Sequence, residues 1–154
     1  MQVMIVSLTQ IDGSMCSIDF SDLLQKKLYT IVYFYPKDNT SGCTLEAQEF
    51  TGLMSDFDTH RVQIVGVSKD AHISHCSFIE KYWLWIPLIS DPEWLLHKQF
   101  GAVGEKSMYG KKYTGTIRST FILDSSWKII HQWLNVSAKW HAQIILDYVI
   151  AYLL

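Results

Sequence analysis

IVYFYPKDNTSGCTLEAQEF, residues 31–50, is the stretch whose reading decides the fold. The β-branched and aromatic run 31–35 reads as a buried strand. It stops at Pro36, which cannot donate to a central ladder. Polar turn residues 37–42 follow, and Cys43 then opens a helical segment, 43–58. A cysteine in the first turn of a helix is a chemical arrangement, because the unpaired backbone N–H groups there favour an anion and so favour a thiolate. The helix alone does not suffice. A free thiol with a pKa of about 8.5 is only a few per cent ionised at neutral pH. Making the thiolate dominant takes roughly 2.7 kcal/mol, whereas a helix terminus supplies about 0.3–1 kcal/mol. A cation from elsewhere in the chain is needed.

Outward from this stretch, 1–9 reads as a strand, 11–14 as a turn with an Asp-Gly signal, and 15–20 as a short hairpin partner carrying Cys16. Upstream of Pro36 the strand extends over 28–35. Leu45, Phe50, Leu53, Met54 and Phe57 supply the apolar face of the helix 43–58. The run 61–68, RVQIVGVS, is a second central strand, so strand, helix and strand imply a right-handed parallel crossover. A second helix spans 70–83 with Asp70 as its cap, and 85–90 is extended. Asp91 and Pro92 start a further helix that ends near Gly101. Residues 102–116 form a Gly-, Lys- and Tyr-rich excursion. Strands 117–123 and 128–134 follow, and Ser137 caps a last helix whose buried stripe is Trp140, Ile144, Ile145, Tyr148, Val149 and Tyr152. This order is that of an α/β, thioredoxin-like sandwich, a central mixed β-sheet flanked by helices on both faces. At 154 residues, with no repeat or linker, residues 1–154 read as a single domain.

In such a sheet the strand 117–123 lies beside the one leading to Pro36. Arg118, at its start, is therefore the candidate cation. At about 4 Å and an effective dielectric near 20, a guanidinium–thiolate pair is worth roughly 4 kcal/mol before desolvation. An arginine at a strand end is, taken alone, as readily a solvated charge. Thr40 can turn its hydroxyl toward the sulfur or act as an ordinary cap. Glu46, one turn on, can hold Arg118 or be an ordinary first-turn acid.

Composition sets bounds. The chain is 49% hydrophobic and 18% charged with a formal net charge of -2, which argues against nucleic acid as the main partner. Aromatic content is 14%, with six tryptophans. The three cysteines, Cys16, Cys43 and Cys76, form neither a disulfide scaffold nor a Cys-x-x-Cys dithiol. An intracellular, cytoplasmic setting is the expectation: the apolar N-terminus lacks a basic region and is too short for a signal peptide, and no run approaches the roughly 18 apolar residues of a membrane span. The triplets at Asn39 and Asn135 read as chance matches to a glycosylation signal.

Pro36, Thr40 and Cys43 in PKDNTSGC fit the Pro-x-x-x-Thr-x-x-Cys signature of peroxiredoxins. The string YFYPKDNTSGCTLEA, with VSKDAHISHCSFIEKY and EKSMYGKKYTGTIRSTFILD, resembles the Q-type branch, the bacterioferritin comigratory proteins, over about residues 30–124. The resemblance implies that the Cys43 thiolate attacks the O–O bond of hydrogen peroxide or a small organic hydroperoxide and becomes a sulfenic acid. It implies Pro36, Thr40, Cys43 and Arg118 as the catalytic set, thioredoxin, glutaredoxin or a small thiol as reductant, no cofactor, metal or haem, and a monomer or weak dimer. Thiolate nucleophilicity falls with pKa, so the site must also stabilise the leaving oxygen. The N–H groups of Gly42 and Cys43, the Thr40 hydroxyl and Arg118 are the available donors.

The sequence departs from its relatives at Gln48, where many Q-type members carry a resolving cysteine. Cys76 is a candidate resolver on the next helix, about one turn early; a single-cysteine cycle is the competing expectation. His72, His75 and Cys76 have metal-type spacing but no evident fourth ligand. The interval from Gly104 to Gly110-Lys111 is wrong for a phosphate loop, and nothing pairs His97 or His131 with Cys43 as a hydrolase base. Two rival readings share the fold: a thiol redox sensor without turnover, and an interaction module using Trp83, Trp85, Trp94 and Trp133.

Overall fold

A computed structural model describes residues 3–153 of the 154. The strands are β1 (Ile5–Thr9), β2 (Met15–Asp19), β3 (Tyr29–Phe34), β4 (Val62–Ser68), β5 (Leu88–Ser90), β6 (Val103–Met108), β7 (Lys111–Thr116), β8 (Ser119–Asp124) and β9 (Ile129–Trp133). The helices are α1 (Phe20–Leu24), α2 (Ser41–Gly52), α3 (Met54–Thr59), α4 (His72–Tyr82), α5 (Leu95–Phe100) and α6 (His141–Tyr152). Seven strands make one mixed sheet in the order β2-β1-β5-β4-β3-β8-β9. The central pairs β3–β4 and β4–β5 are parallel, as expected of strands joined through helices; β3–β8, β8–β9, β1–β5 and β1–β2 are antiparallel.

Alternation along β3 divides the core. Ile31, Tyr33 and Tyr35 pack with α2, α3, α4 and α6 on one face, while Val32 and Phe34 pack with α1 and α5 on the other. Helices on both faces of a mixed sheet are thus the observed architecture. The first two residues of the expected strand 1–9 lie outside the described residues.

Several elements differ from the sequence expectation. The helix expected over 43–58 breaks after Gly52, where Leu53 (φ −107°, ψ 6°) leaves helical geometry, and resumes as α3. Asp70 does not cap α4. Its carboxylate instead accepts from the Asp38 N–H and the Ser68 hydroxyl. The 102–116 excursion is a regular hairpin, β6–β7, whose two-residue turn Tyr109-Gly110 has φ of 52° and 77°, the primed geometry that favours glycine. α1 was not foreseen; Asp19 caps it through the Ser21 N–H. Ser137 does not cap the last helix, which begins four residues later behind Trp140 in left-handed conformation. Its buried face is His141, Ala142, Ile145, Leu146 and Val149, and Trp140, Ile144 and Tyr152 are exposed. Asp91 and Pro92 do not open α5, which starts at Leu95 behind Trp94 at the cap position; the Asp91 carboxylate instead reaches forward to accept from the Leu96 and His97 N–H groups.

Candidate active site

β3 carries buried Tyr35 to the end of the sheet, where Pro36 takes the chain out of the ladder. The loop that follows is fastened to α4. The Tyr35 hydroxyl donates to Asp38 Oδ1 at 2.5 Å, the Ser74 hydroxyl donates to Asp38 Oδ2 at 2.8 Å, and His75 Nδ1 lies 2.7 Å from the same oxygen. His75 Nε2 faces the Ile89 carbonyl at 3.2 Å. The His75 ring is thus set between two acceptors, the Asp38 carboxylate and the Ile89 carbonyl. The Tyr82 hydroxyl donates to Asn39 Oδ1 at 2.8 Å, beside Asp38.

This loop sets the start of α2. Thr40, extended at φ −92° and ψ 158°, is the residue at the cap position, and its carbonyl accepts from the Thr44 N–H at 2.8 Å. Its hydroxyl donates to the Lys37 carbonyl at 2.8 Å, not to the sulfur. Cys43, in the first turn, is only 2% exposed. Arg118 stands just before β8, whose Ser119 pairs with Phe34 of β3, so strand register alone carries the guanidinium to the sulfur. Arg118 Nη2 donates to Cys43 Sγ at 3.4 Å, and Nη1 donates to Glu46 Oε1 at 2.5 Å. The Val136 N–H donates to the Arg118 carbonyl at 2.9 Å and holds the backbone. A Cβ on Gly42 would lie 3.3 Å from Nη2, so the absent side chain leaves room for the guanidinium.

Burial sets the charges. It pushes the Glu46 carboxyl up to about 7, although Arg118 pulls the other way. Burial also works against the Arg118 charge, but Glu46 and Cys43 outweigh it and hold the guanidinium above its ordinary value. His141, with Nε2 2.7 Å from the Thr120 hydroxyl, is driven down to about 4 by burial and by Arg118, and stays neutral. Lys106 on β6 is lowered by burial and then by Arg118, which puts the β6–β7 hairpin within electrostatic range of the site. The Tyr33 hydroxyl is raised by burial, then by Glu46 and Cys43.

The structure therefore brings Cys43, Glu46 and Arg118 together and places Pro36 and Thr40 in the loop that feeds them. Sequence reasoning missed Asp38, His75, Lys106 and His141. The sign it could have used was His75, read only as a metal-type residue: His75 faces Asp38, whereas His72 and Cys76 lie on another flank of α4. Among the described residues no group of three metal-ligating side chains converges. His97 is held between Asp91 and Thr116, and His131 stacks on Tyr148, so neither serves Cys43 as a base. Gln48 is exposed on α2.

A sulfur held against a guanidinium in the first turn of a helix, on a thioredoxin-like sheet, defines the class of cysteine-dependent redox enzymes. The AhpC/TSA family matches residues 2–132. Peroxiredoxin Bcp of Xanthomonas campestris is 40% identical over 118 residues, 77% of this chain and 74% of that one. Serine mutants of two different cysteines in Xanthomonas campestris peroxiredoxin Q superpose with TM-scores of 0.87 and 0.84, at 33% and 34% identity, over 97% of this chain and 90% or 91% of theirs. A structure concerned with alkyl peroxide reduction by the Xanthomonas campestris bacterioferritin comigratory protein gives a TM-score of 0.84 at 34% identity, over 97% of this chain and 91% of that one. The chain belongs to the AhpC/TSA family and, within it, to the Q-type peroxiredoxins, which are thiol-dependent peroxidases. No helix among the described residues is long and apolar enough to cross a membrane.

Proposed function

We propose that Cys43 is the peroxide-reacting thiol and that the whole chain works as one peroxidase domain with a single-cysteine cycle. The observation that carries this is the contact of Arg118 Nη2 with Cys43 Sγ at 3.4 Å, made by a guanidinium whose other arm is held by buried Glu46. The thiolate attacks one peroxide oxygen, the O–O bond breaks, and the sulfur becomes a sulfenic acid as water or alcohol leaves. The leaving oxygen takes a proton, and its charge develops beside Arg118 and the unpaired N–H groups of the α2 start. Thr40 serves by setting that start, its hydroxyl tying the loop back to the Lys37 carbonyl. Pro36 ends the ladder so that the loop can bend.

Reduction then falls to an external thiol: thioredoxin, glutaredoxin or a low-molecular-weight thiol. The spacing between the two cysteines replaced by serine in the Xanthomonas structures, laid on this chain from Cys43, falls on buried Ile79 and not on Cys76. Cys76 itself bonds to the Gly13 carbonyl on the flank of α4 away from Ser74, His75 and the active-site loop. Substrates are hydrogen peroxide and organic hydroperoxides, the latter in keeping with the alkyl peroxide activity of the Xanthomonas relative. The setting is the cytoplasm, where thiols are kept reduced, and the working form is a monomer or weak dimer. The test is peroxide consumption with excess thioredoxin or dithiothreitol. Wild type turns over and Cys43→Ser does not; a Cys43→Ser protein that still consumes peroxide overturns the assignment.

A further inference from the structure

Away from Cys43, α4 carries a second built thiol. Cys76 Sγ lies 3.3 Å from His72 Nε2, one turn earlier on the same helix, and donates to the Gly13 carbonyl at 3.2 Å. His72 Nδ1 is in turn 2.7 Å from the hydroxyl of Thr9, a fully buried residue at the end of β1. Nucleophile, base and a group that orients the base are the parts an activated thiol requires. These three come from a strand and a helix that the sheet edge fixes against each other. The thiol opens on a groove of about 480 Å³, whose lining includes Ile11, Trp83, Leu84 and Trp85. Trp83 and Trp85 are 82% and 62% exposed, although each has apolar surface to bury. The charged side chains on the groove are both acids, Asp12 and Glu80.

We propose that Cys76 is a thiol-exchange site for small apolar disulfides that carry no negative charge. In the resting state the thiol keeps its proton and donates it in a hydrogen bond to the Gly13 carbonyl. His72 Nε2 takes that proton as Sγ attacks the nearer disulfide sulfur. The disulfide S–S bond breaks, a Cys76–S–S–R bond forms, and the leaving thiolate is protonated from the imidazolium or from water. Cys76 is oxidised and the ligand disulfide is reduced, so the electrons balance within the exchange. The ligand's organic arm fills the groove against Trp83 and Trp85. Asp12 and Glu80 repel anionic disulfides, so neutral or cationic ones are preferred. This site is distinct from the peroxide chemistry: it needs neither Arg118 nor a sulfenic acid.

The test uses the full chain with Cys16→Ser and Cys43→Ser, which leaves Cys76 as the sole thiol, and a second protein in which Cys16 alone remains. Each is mixed at pH 7 with neutral 4,4′-dithiodipyridine, cationic cystamine or anionic oxidised glutathione, and adduct growth is read by intact mass. Cys76 is expected to react at least about tenfold faster than Cys16 with the first two probes and to discriminate against the anionic one. Adding His72→Gln should slow Cys76 by about tenfold or more and move the midpoint of its pH–rate profile. Unfolding cannot imitate that loss, because an unfolded chain exposes the thiol and labels faster. Tryptophan emission should change with the adduct in the first protein only. Equal rates for Cys76 and Cys16, or indifference to His72→Gln, overturns the proposal.

Discussion

At the scale of one side chain, Arg118 divides its two arms between the Cys43 sulfur and the buried Glu46 carboxyl. Arg118→Ala removes the cation that the helix start cannot replace, and should lower kcat/KM for hydrogen peroxide at least about tenfold, the equivalent of 1.36 kcal/mol. Arg118→Lys keeps the charge but not the two-pronged fork, so it should fall between the two in stopped-flow assays. Gly42→Ala separates activity from stability. Alanine is the better helix former by up to about 1 kcal/mol, yet its Cβ would press on the guanidinium at 3.3 Å. The melting temperature should hold or rise while the peroxide rate falls. Glu46 adds a pH signature. Its carboxyl is raised from 4.5 to about 7 in the folded protein, so the folded state binds this proton more tightly than the unfolded one. The stability it contributes is complete below about 4.5 and is lost as pH rises through about 7. Thermal melts from pH 5 to 8 should show a steeper fall for wild type than for Glu46→Gln, which cannot titrate; a wild-type slope no steeper than the variant's contradicts this reading of the carboxyl.

At the scale of elements, the active-site loop is positioned by α4 more than by its own sequence. Asp38 accepts from Tyr35 and Ser74 and faces His75, so one buried carboxylate ties loop, strand and helix together. Asp38→Asn leaves the buried imidazole facing a neutral partner. Weakening hydrogen bonds to a buried charged group costs about 1.5–3 kcal/mol, so chemical denaturation should show a loss of that order. Peroxide reduction should fall as well, because the Cys43 turn loses its anchor. None of this clamp was visible in the chain, where Asp38 is one polar residue in a polar loop and His75 has the spacing of a ligand. Strands β3, β4 and β8 were legible because two-sided burial writes them as continuous apolar runs. The hairpin β6–β7 was not, because its strands are rich in lysine and glycine and largely exposed, leaving only its primed turn as a signal. The start of α6 was misread for a similar reason: the Trp140 N–H is held by Glu49 from α2, a tertiary contact that overrides the local promise of Ser137 as a cap.

At the scale of the whole molecule, the antiparallel seating of β8 beside β3 is what converts two distant sequence signals, 75 residues apart, into one site. That juxtaposition was readable because the strand order followed from the succession of elements. The fate of the oxidised sulfur was not, because it depends on which flank of α4 each side chain occupies. Ser74, His75 and Tyr82 face the Cys43 loop, whereas Cys76 faces the turn between β1 and β2. A Cys43–Cys76 bond would require Cα atoms within about 7 Å and side chains that point toward each other. Cys76 instead points to the Gly13 carbonyl and His72, away from that loop. One equivalent of hydroperoxide should therefore yield Cys43 sulfenic acid, trapped by dimedone and seen by peptide mass spectrometry, and added thiol should convert it to a mixed disulfide at Cys43. Cys76→Ser should turn over at the wild-type rate under saturating thiol. Accumulation of a Cys43–Cys76 peptide before thiol is added would show that the helices open on oxidation and that the cycle is intramolecular.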